Sequence, residues 1–289
     1  MQVNRDASPI LETEAQMKVE TAQAAGGSKQ ADVGLKPLVL ELKHVSAGYG
    51  QRRAIDDLTV EIAAGKRVGL IGPNGAGKST LFRSLVGLLP LMSGQVLIQG
   101  QADRKARRQV AYVPQFEDVD WNFPVTVIDV VVMGLARQIG WLRLPNSKHI
   151  AAGMAALKRV GLAQYANRQI GELSGGEKRR VFIARALAQG ATILLLDEPF
   201  SGVDTMAQQT LFEILDELKK ENVTVLLATH DLSLAATHFD ELLILNGQLI
   251  AYGKPADVLK PEILAKAFHG QLAIWQGNQH IIMLTDQHS

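Results

Sequence analysis

The sequence predicts an α/β protein with a mostly parallel sheet, an antiparallel β subdomain and an inserted α-helical lobe. Three observations predict it. Short apolar runs that each precede a helical pattern, RVGLIG (67–72), TILLLDEP (192–199) and VTVLLATH (223–230), read as strands buried on both faces of a parallel sheet. Two alternating stretches ahead of them, LVLELKHVSAGYG (38–50) and AIDDLTVEI (54–62), joined by a turn around Gly48 to Gln51, read as half-buried antiparallel strands. Residues 126 to 170 instead carry helical patterns, VTVIDVVVMGLARQ and HIAAGMAALKRVG, between strand-forming segments.

The elements follow in order. Residues 1–36, ending in TAQAAGGSKQADVGLK, are poor in large apolar side chains and read as a flexible tail. The domain proper is expected over 37–268, with the helical lobe at about 120–172. The apolar run at 67–72 leads through a glycine-rich turn into the helical KSTLFRSLVGLL (78–89), and SGQVLIQG (93–100) and RQVAYVPQ (108–115) add two strands. After the lobe, GELSGGEKRR (171–180) opens the helix VFIARALA. Helices MAQQTLFEILDELKK (206–220) and LSLAATHF (232–239) then alternate with strands up to the hairpin ELLILNGQLIAYG (241–253). The tail 269–289 is expected to add a hairpin on a sheet edge, turning around Gly277 and Asn278. Its His269, His280 and His288 are widely spaced in a polar segment, as solvated side chains are.

Composition narrows the function classes. With 289 residues and 47% hydrophobic content the chain folds, and 30 Lys and Arg against 29 Asp and Glu leave a net charge of +1. No strong field therefore recruits nucleic acid or anionic membrane. The absence of cysteine excludes disulfides and thiolate metal sites. No run approaches the ~18 apolar residues of a spanning helix, Asp129 interrupting the longest, and the polar, acidic start MQVNRDASPILETEAQ indicates neither a secretory signal nor a transit peptide.

Chemistry enters at the strand ends. The stretch GPNGAGKST, comprising Gly72, Pro73, Asn74, Gly75, Ala76, Gly77, Lys78, Ser79 and Thr80, has the G-x-x-x-x-G-K-[ST] spacing between a strand and a helix. In that context the backbone N–H groups of Gly75 to Lys78 take phosphate oxygens, the Lys78 ammonium meets the terminal phosphates, and the Ser79 hydroxyl serves Mg2+. The core is thus of the P-loop NTPase kind. TILLLDEP delivers Asp197 and Glu198 to the same sheet edge, Asp197 to hold Mg2+ through water and Glu198 for a water attacking the γ-phosphate. VTVLLATH delivers His230 there, and RQVAYVPQ ends in Gln115. Ser174 and Glu177 have capping-box spacing, but Gly175 and Gly176 between them cost up to about 1 kcal/mol each relative to alanine in a first helical turn. An ordinary capped helix and a phosphate-seeking helix start both fit these four residues.

In this order and spacing GPNGAGKST, Gln115, LSGGE, ILLLDEP, SGVD and His230 resemble an ABC-type ATPase over about residues 38 to 255. The resemblance implies ATP and Mg2+ as ligands. It also implies that Tyr49 stacks on adenine, that Ser201 to Asp204 form the dimer seam, and that Gln115 links Mg2+ to a permease. It further implies a second copy of the chain, whose Leu173 to Glu177 motif closes over ATP held by the partner. GYG around Tyr49 equally suits a plain hairpin turn.

Trp121, Phe123 and Pro124 in VDWNFPVTVIDVVVMG suit either a docking pocket for a membrane subunit or packing within the lobe. This stretch and GWLRLP (140–145) resemble the ATPases of manganese, zinc and iron uptake systems, although Leu135, Ala136 and Arg137 replace a frequent Arg-Tyr-Gly run. Such ATPases work peripherally at the cytoplasmic side of the membrane, with a separate permease and, indirectly, an extracytoplasmic metal-binding protein. Two alternatives stand beside this one. A soluble ABC ATPase acting on DNA carries coiled-coil or zinc-bearing insertions, yet no heptad array or cysteine lies between Lys78 and Ser174, so no nucleic acid partner is expected. Another P-loop phosphotransferase leaves LSGGE and His230 unexplained.

Overall fold

Three sheets organise the described residues of the computed structural model, which are 37–115, 121, 123–140, 143–268, 273–277 and 280–284. The expected tail 1–36 lies outside them. The first sheet is antiparallel, in the order β2 (Arg52–Ala63), β1 (Leu38–Tyr49) and β4 (Leu91–Ile98). Its alternating sequence gives an alternating burial pattern along β2, with Ile55, Leu58, Val60 and Ile62 turned inward.

The second sheet has six strands: β5 (Val110–Val113), β6 (Ile193–Asp197), β7 (Thr224–Thr229), β3 (Arg67–Ile71), β8 (Glu241–Asn246) and β9 (Gln248–Gly253). Pairs from β5 to β8 are parallel and only β9 is antiparallel. Every residue of β3, β6 and β7 is buried, as apolar runs without alternation require. Alternate residues feed two cores. Leu194, Leu196, Val225, Leu227 and Ile244 face the lobe and the helices α4 (Gly175–Ala188) and α5 (Thr205–Lys220), whereas Ile193, Leu195, Leu226 and Leu245 face α1 (Lys78–Leu85) and the antiparallel sheet.

The lobe contains α2 (Val127–Val132) and α3 (Ser147–Arg159), capped by Thr126 and Asn146. The helical pattern VTVIDVVVMGLARQ is divided in the structure, because Met133–Leu135 forms a 3₁₀ turn before a short helix Ala136–Ile139. The break falls where the lobe meets α4: a Cβ on Gly134 would come within 2.3 Å of the Arg185 carbonyl oxygen. Helix α6 (Leu232–His238) follows β7, and α7 (Pro261–Phe268) follows β9. The C-terminal hairpin forms, with Gly277 paired to His280, but β10 (Ala273–Gly277) and β11 (His280–Leu284) make a two-stranded sheet of their own. It does not extend an edge of the larger sheets. No helix among the described residues is long and apolar enough to cross a membrane. No cluster of three or more potential metal ligands occurs among them either. His269 and His288 lie outside the described residues.

Candidate functional site

The glycine-rich turn leaves β3 under close confinement. A Cβ on Gly72 would stand 2.1 Å from the Leu245 carbonyl oxygen, and one on Gly77 2.6 Å from that of Ala54, where φ is also +98°. Gly75 is different: its φ is +79°, and an added Cβ would meet nothing within 4 Å. The first two glycines are thus demanded by the chain's own packing, while the third faces open space. The Ala76 carbonyl accepts from Gly247 N–H at 3.0 Å, which ties the loop to the β8–β9 turn. Helix α1 begins with no side-chain cap, so the N–H groups of its first turn are left to a ligand. The buried Lys78 ammonium donates to the carbonyls of Gly72 (2.7 Å) and Pro73 (3.0 Å). Burial holds its pKa below the ordinary lysine value, against the opposing charges of Glu198 and Asp197. Asn74 is exposed, Ser79 half-buried and Thr80 buried. An open, donor-lined turn with a recruitable ammonium fits a phosphate chain.

Parallel pairing of β6 and β7 brings their carboxyl ends to the same edge as this loop. Asp197 is 3% exposed and accepts a hydrogen bond on Oδ2 from the Tyr112 hydroxyl at 2.9 Å. Burial, then the neighbouring Asp197 charge, push the Tyr112 pKa well above the usual phenol value, so the hydroxyl stays the donor. Glu198 sits at φ +47°, an uncommon conformation for a long side chain, held by its N–H donating to the Ala228 carbonyl. Its Oε2 lies 3.6 Å from Nδ1 of His230, whose ring is 67% exposed. Gln115 is half-buried two residues beyond β5, on the edge where β5 runs parallel to β6. Ser79, Asp197 and Gln115 offer the hard oxygen donors that Mg2+ takes.

Tyr49 ends β1 paired with Arg52, so GYG does close a hairpin, yet the ring is 51% exposed. Its hydroxyl accepts from Arg83 on α1 at 3.2 Å, linking it to the helix that begins with Lys78.

The Ser174–Glu177 turn forms the expected capping box: Glu177 N–H donates to Ser174 Oγ at 3.3 Å, and Ser174 N–H to Glu177 Oε2 at 2.8 Å. Burial works against the Glu177 charge, but the hydrogen bonds from Ser174 and the positive charges of Arg180 and Arg168 outweigh it and hold the carboxyl below its ordinary range. The two glycines separate. A Cβ on Gly176 would lie 2.9 Å from Ala207 Cβ, so helix packing with α5 explains that bareness. On Gly175 the nearest atom would be the flexible Arg179 guanidinium at 3.5 Å, and this glycine is exposed. Asp204 caps α5 by accepting from Ala207 N–H at 2.9 Å, and Arg179 donates to the Ser201 carbonyl, binding the two helix starts together.

Lys78, Asp197, Glu198 and His230 thus share one edge, whereas the hydrogen bonds of Ser174 stay within its own turn. Trp121 is half-buried in the lobe, edge-on to Phe182 at 5.7 Å with Lys178 over its ring, whereas Phe123, 60% exposed, and Pro124 stand at the surface. Tyr112, Arg83 and Arg179 escaped sequence reasoning. Alternation along RQVAYVPQ puts Tyr112 with Val110, but nothing local says which carboxylate that face meets.

A family model described as ABC transporter matches residues 55–201. A manganese transport system ATP-binding protein of Halalkalibacterium halodurans is 42% identical over 85% of this chain and 98% of its own. A zinc transport system ATP-binding protein of Treponema pallidum is 41% identical, over 84% of this chain and 91% of its own. Among solved structures, one described as an inward-facing, metal-chelate type ABC transporter superposes with a TM-score of 0.74 at 28% identity, covering 86% of this chain and 98% of its own.

Proposed function

This chain belongs to the ABC transporter family as an ATP-hydrolysing subunit, and we propose that it powers passage of a divalent metal ion, manganese, zinc or iron, through a separate membrane permease. The observation that carries the catalytic part is the convergence of Lys78, Asp197, Glu198 and His230 at one sheet edge. The names of the relatives support the cargo. The subunit acts peripherally on the cytoplasmic side of the membrane. Phe123 contributes to permease docking, and an extracytoplasmic metal-binding protein supplies the cargo indirectly.

In the mechanism, N–H groups of Gly75 to Lys78 and the Lys78 ammonium hold the phosphates of ATP, and Tyr49 stacks on the base. Ser79, Asp197 and Gln115 would hold Mg2+, which would neutralise charge on the phosphate oxygens. Glu198 orients a water and takes its proton as the water oxygen bonds to the terminal phosphorus and the bond to the bridging oxygen breaks, releasing ADP. His230 keeps Nδ1 toward Glu198 and offers Nε2 to the phosphate, stabilising the charge that develops there. The Ser174–Gly175 turn, with its exposed glycine, closes over the nucleotide of a second copy. A two-fold pair uses both unlike surfaces twice, burying two ATP molecules.

Vesicles carrying the chain with its permease test the proposal. Manganese, zinc or iron should cross only with ATP, and Glu198→Gln should stop both transport and hydrolysis. ATP turnover without metal movement would overturn the cargo assignment.

A further inference from the structure

The hydroxyl of Tyr112 stands between a cation and a carboxylate. It donates to Oδ2 of Asp197 at 2.9 Å, and the positive charge of Arg83 on α1 acts on it from the other side. Arg83 also donates to the Tyr49 hydroxyl at 3.2 Å. Two hydrogen bonds, Arg83 to Tyr49 and Tyr112 to Asp197, thus flank the phosphate-loop helix on its base side and its metal side.

Its geometry follows from the sheet. Tyr112 pairs with Leu195 across β5 and β6, and Leu195 and Asp197 share a face because side chains alternate. A phenol on that face reaches diagonally to the residue two positions on. The edge of Phe82 from α1 packs against the Tyr112 ring, with centroids 6.2 Å apart, which limits where the hydroxyl can go. Asp197 is almost wholly buried, and a carboxylate there is oriented by its hydrogen-bond partner and not by water.

We propose that Tyr112 is a positioning residue for the metal side of the site, its hydroxyl holding the Asp197 carboxylate in the orientation that receives Mg2+ and its ring held in place by Phe82. The proposal rests on the Mg-ATP reading of the site. It adds a hydroxyl that lies outside the sequence motifs and acts through Asp197. Partners of this kind orient the ligands they touch, and their removal commonly lowers metal affinity about 10–100-fold.

The test separates nucleotide binding from metal binding in Tyr112→Phe, which keeps the ring and removes the hydroxyl. Fluorescence of trinitrophenyl-ATP is followed first in EDTA, then during Mg2+ titration. In EDTA the variant should bind within about twofold of wild type, and its half-saturating Mg2+ concentration should rise about tenfold. An unchanged or lower half-saturating concentration overturns the proposal. If circular dichroism shows that Tyr112→Phe does not fold, Arg83→Met decides: it leaves the phenol and Asp197 in place, and it should move the Mg2+ dependence in the same direction by less. No movement in Arg83→Met would then overturn it. A wild type that binds no nucleotide would remove the underlying reading and the proposal with it, whereas normal wild-type binding with an unaltered Tyr112→Phe removes the proposal alone.

Discussion

Two adjacent glycines, Gly175 and Gly176, should respond in opposite ways to the same substitution. At Gly176 an added methyl would lie 2.9 Å from Ala207 Cβ and 3.9 Å from Val203 Cγ1, and Ala207 has no flexible end to swing aside. Helices α4 and α5 must separate by some tenths of an ångström. Overpacking of this sort costs about 1–3 kcal/mol, while alanine returns up to about 1 kcal/mol of helix propensity. A net loss near 1 kcal/mol corresponds to a drop in Tm of about 2–4 °C for a domain of this size. At Gly175 the methyl would meet only the Arg179 guanidinium at 3.5 Å, so Gly175→Ala should melt at or slightly above wild type. Its cost should appear elsewhere, as weaker ATP-driven association, because the methyl fills the approach to the exposed N–H groups of the helix start. Differential scanning calorimetry and light scattering with Mg-ATP read the two effects separately. A destabilised Gly175→Ala together with an unperturbed Gly176→Ala would refute the reasoning.

Other predictions are more direct. Lys78→Ala should weaken ATP binding by at least tenfold in equilibrium titrations, since it removes the ammonium that the loop carbonyls now hold. His238 stacks on Phe212, and burial, then the Arg67 charge, hold its pKa below the unfolded value of 6.5. The unfolded chain therefore binds the proton more readily, and the contribution of His238 to stability is present above pH 6.5 and declines as pH falls toward its lower folded pKa. In His238→Gln the acid-side slope of Tm should be shallower. A chain beginning at Pro37 should retain wild-type ATPase activity, because Pro37–Ser289 separates as its own compact unit.

Much of the site was legible because apolar strands carry their chemistry at their ends. Asp197, Glu198 and His230 follow runs that are buried throughout, so strand termini and the parallel arrangement place them together without further information. The phosphate loop announced itself by glycine spacing, although only the structure distinguishes Gly72 and Gly77, crowded by carbonyl oxygens, from the open Gly75. The LSGGE stretch was ambiguous for the same reason: a bare position looks alike in sequence whether a neighbouring helix or a ligand requires it, and here Gly176 is the first case. Tyr112 and Asp197 are 85 residues apart and meet through strand register, which has no local signature. Trp121 was read as part of a docking pocket or as lobe packing, and its contact with Phe182 favours packing, since a large ring buries itself where α4 supplies an aromatic partner. The hairpin around Gly277 follows its turn residues, but turn chemistry says nothing about which edge, if any, a hairpin joins.

The central claim is that two copies close on ATP, with the Ser174 turn of one facing the Lys78 loop of the other. Light scattering on Glu198→Gln, with and without Mg-ATP, tests it most directly, because blocked hydrolysis should trap the closed state. The account predicts a monomer that becomes a dimer when ATP binds and reverts when it is removed. A variant that binds ATP to saturation and remains a monomer would contradict it.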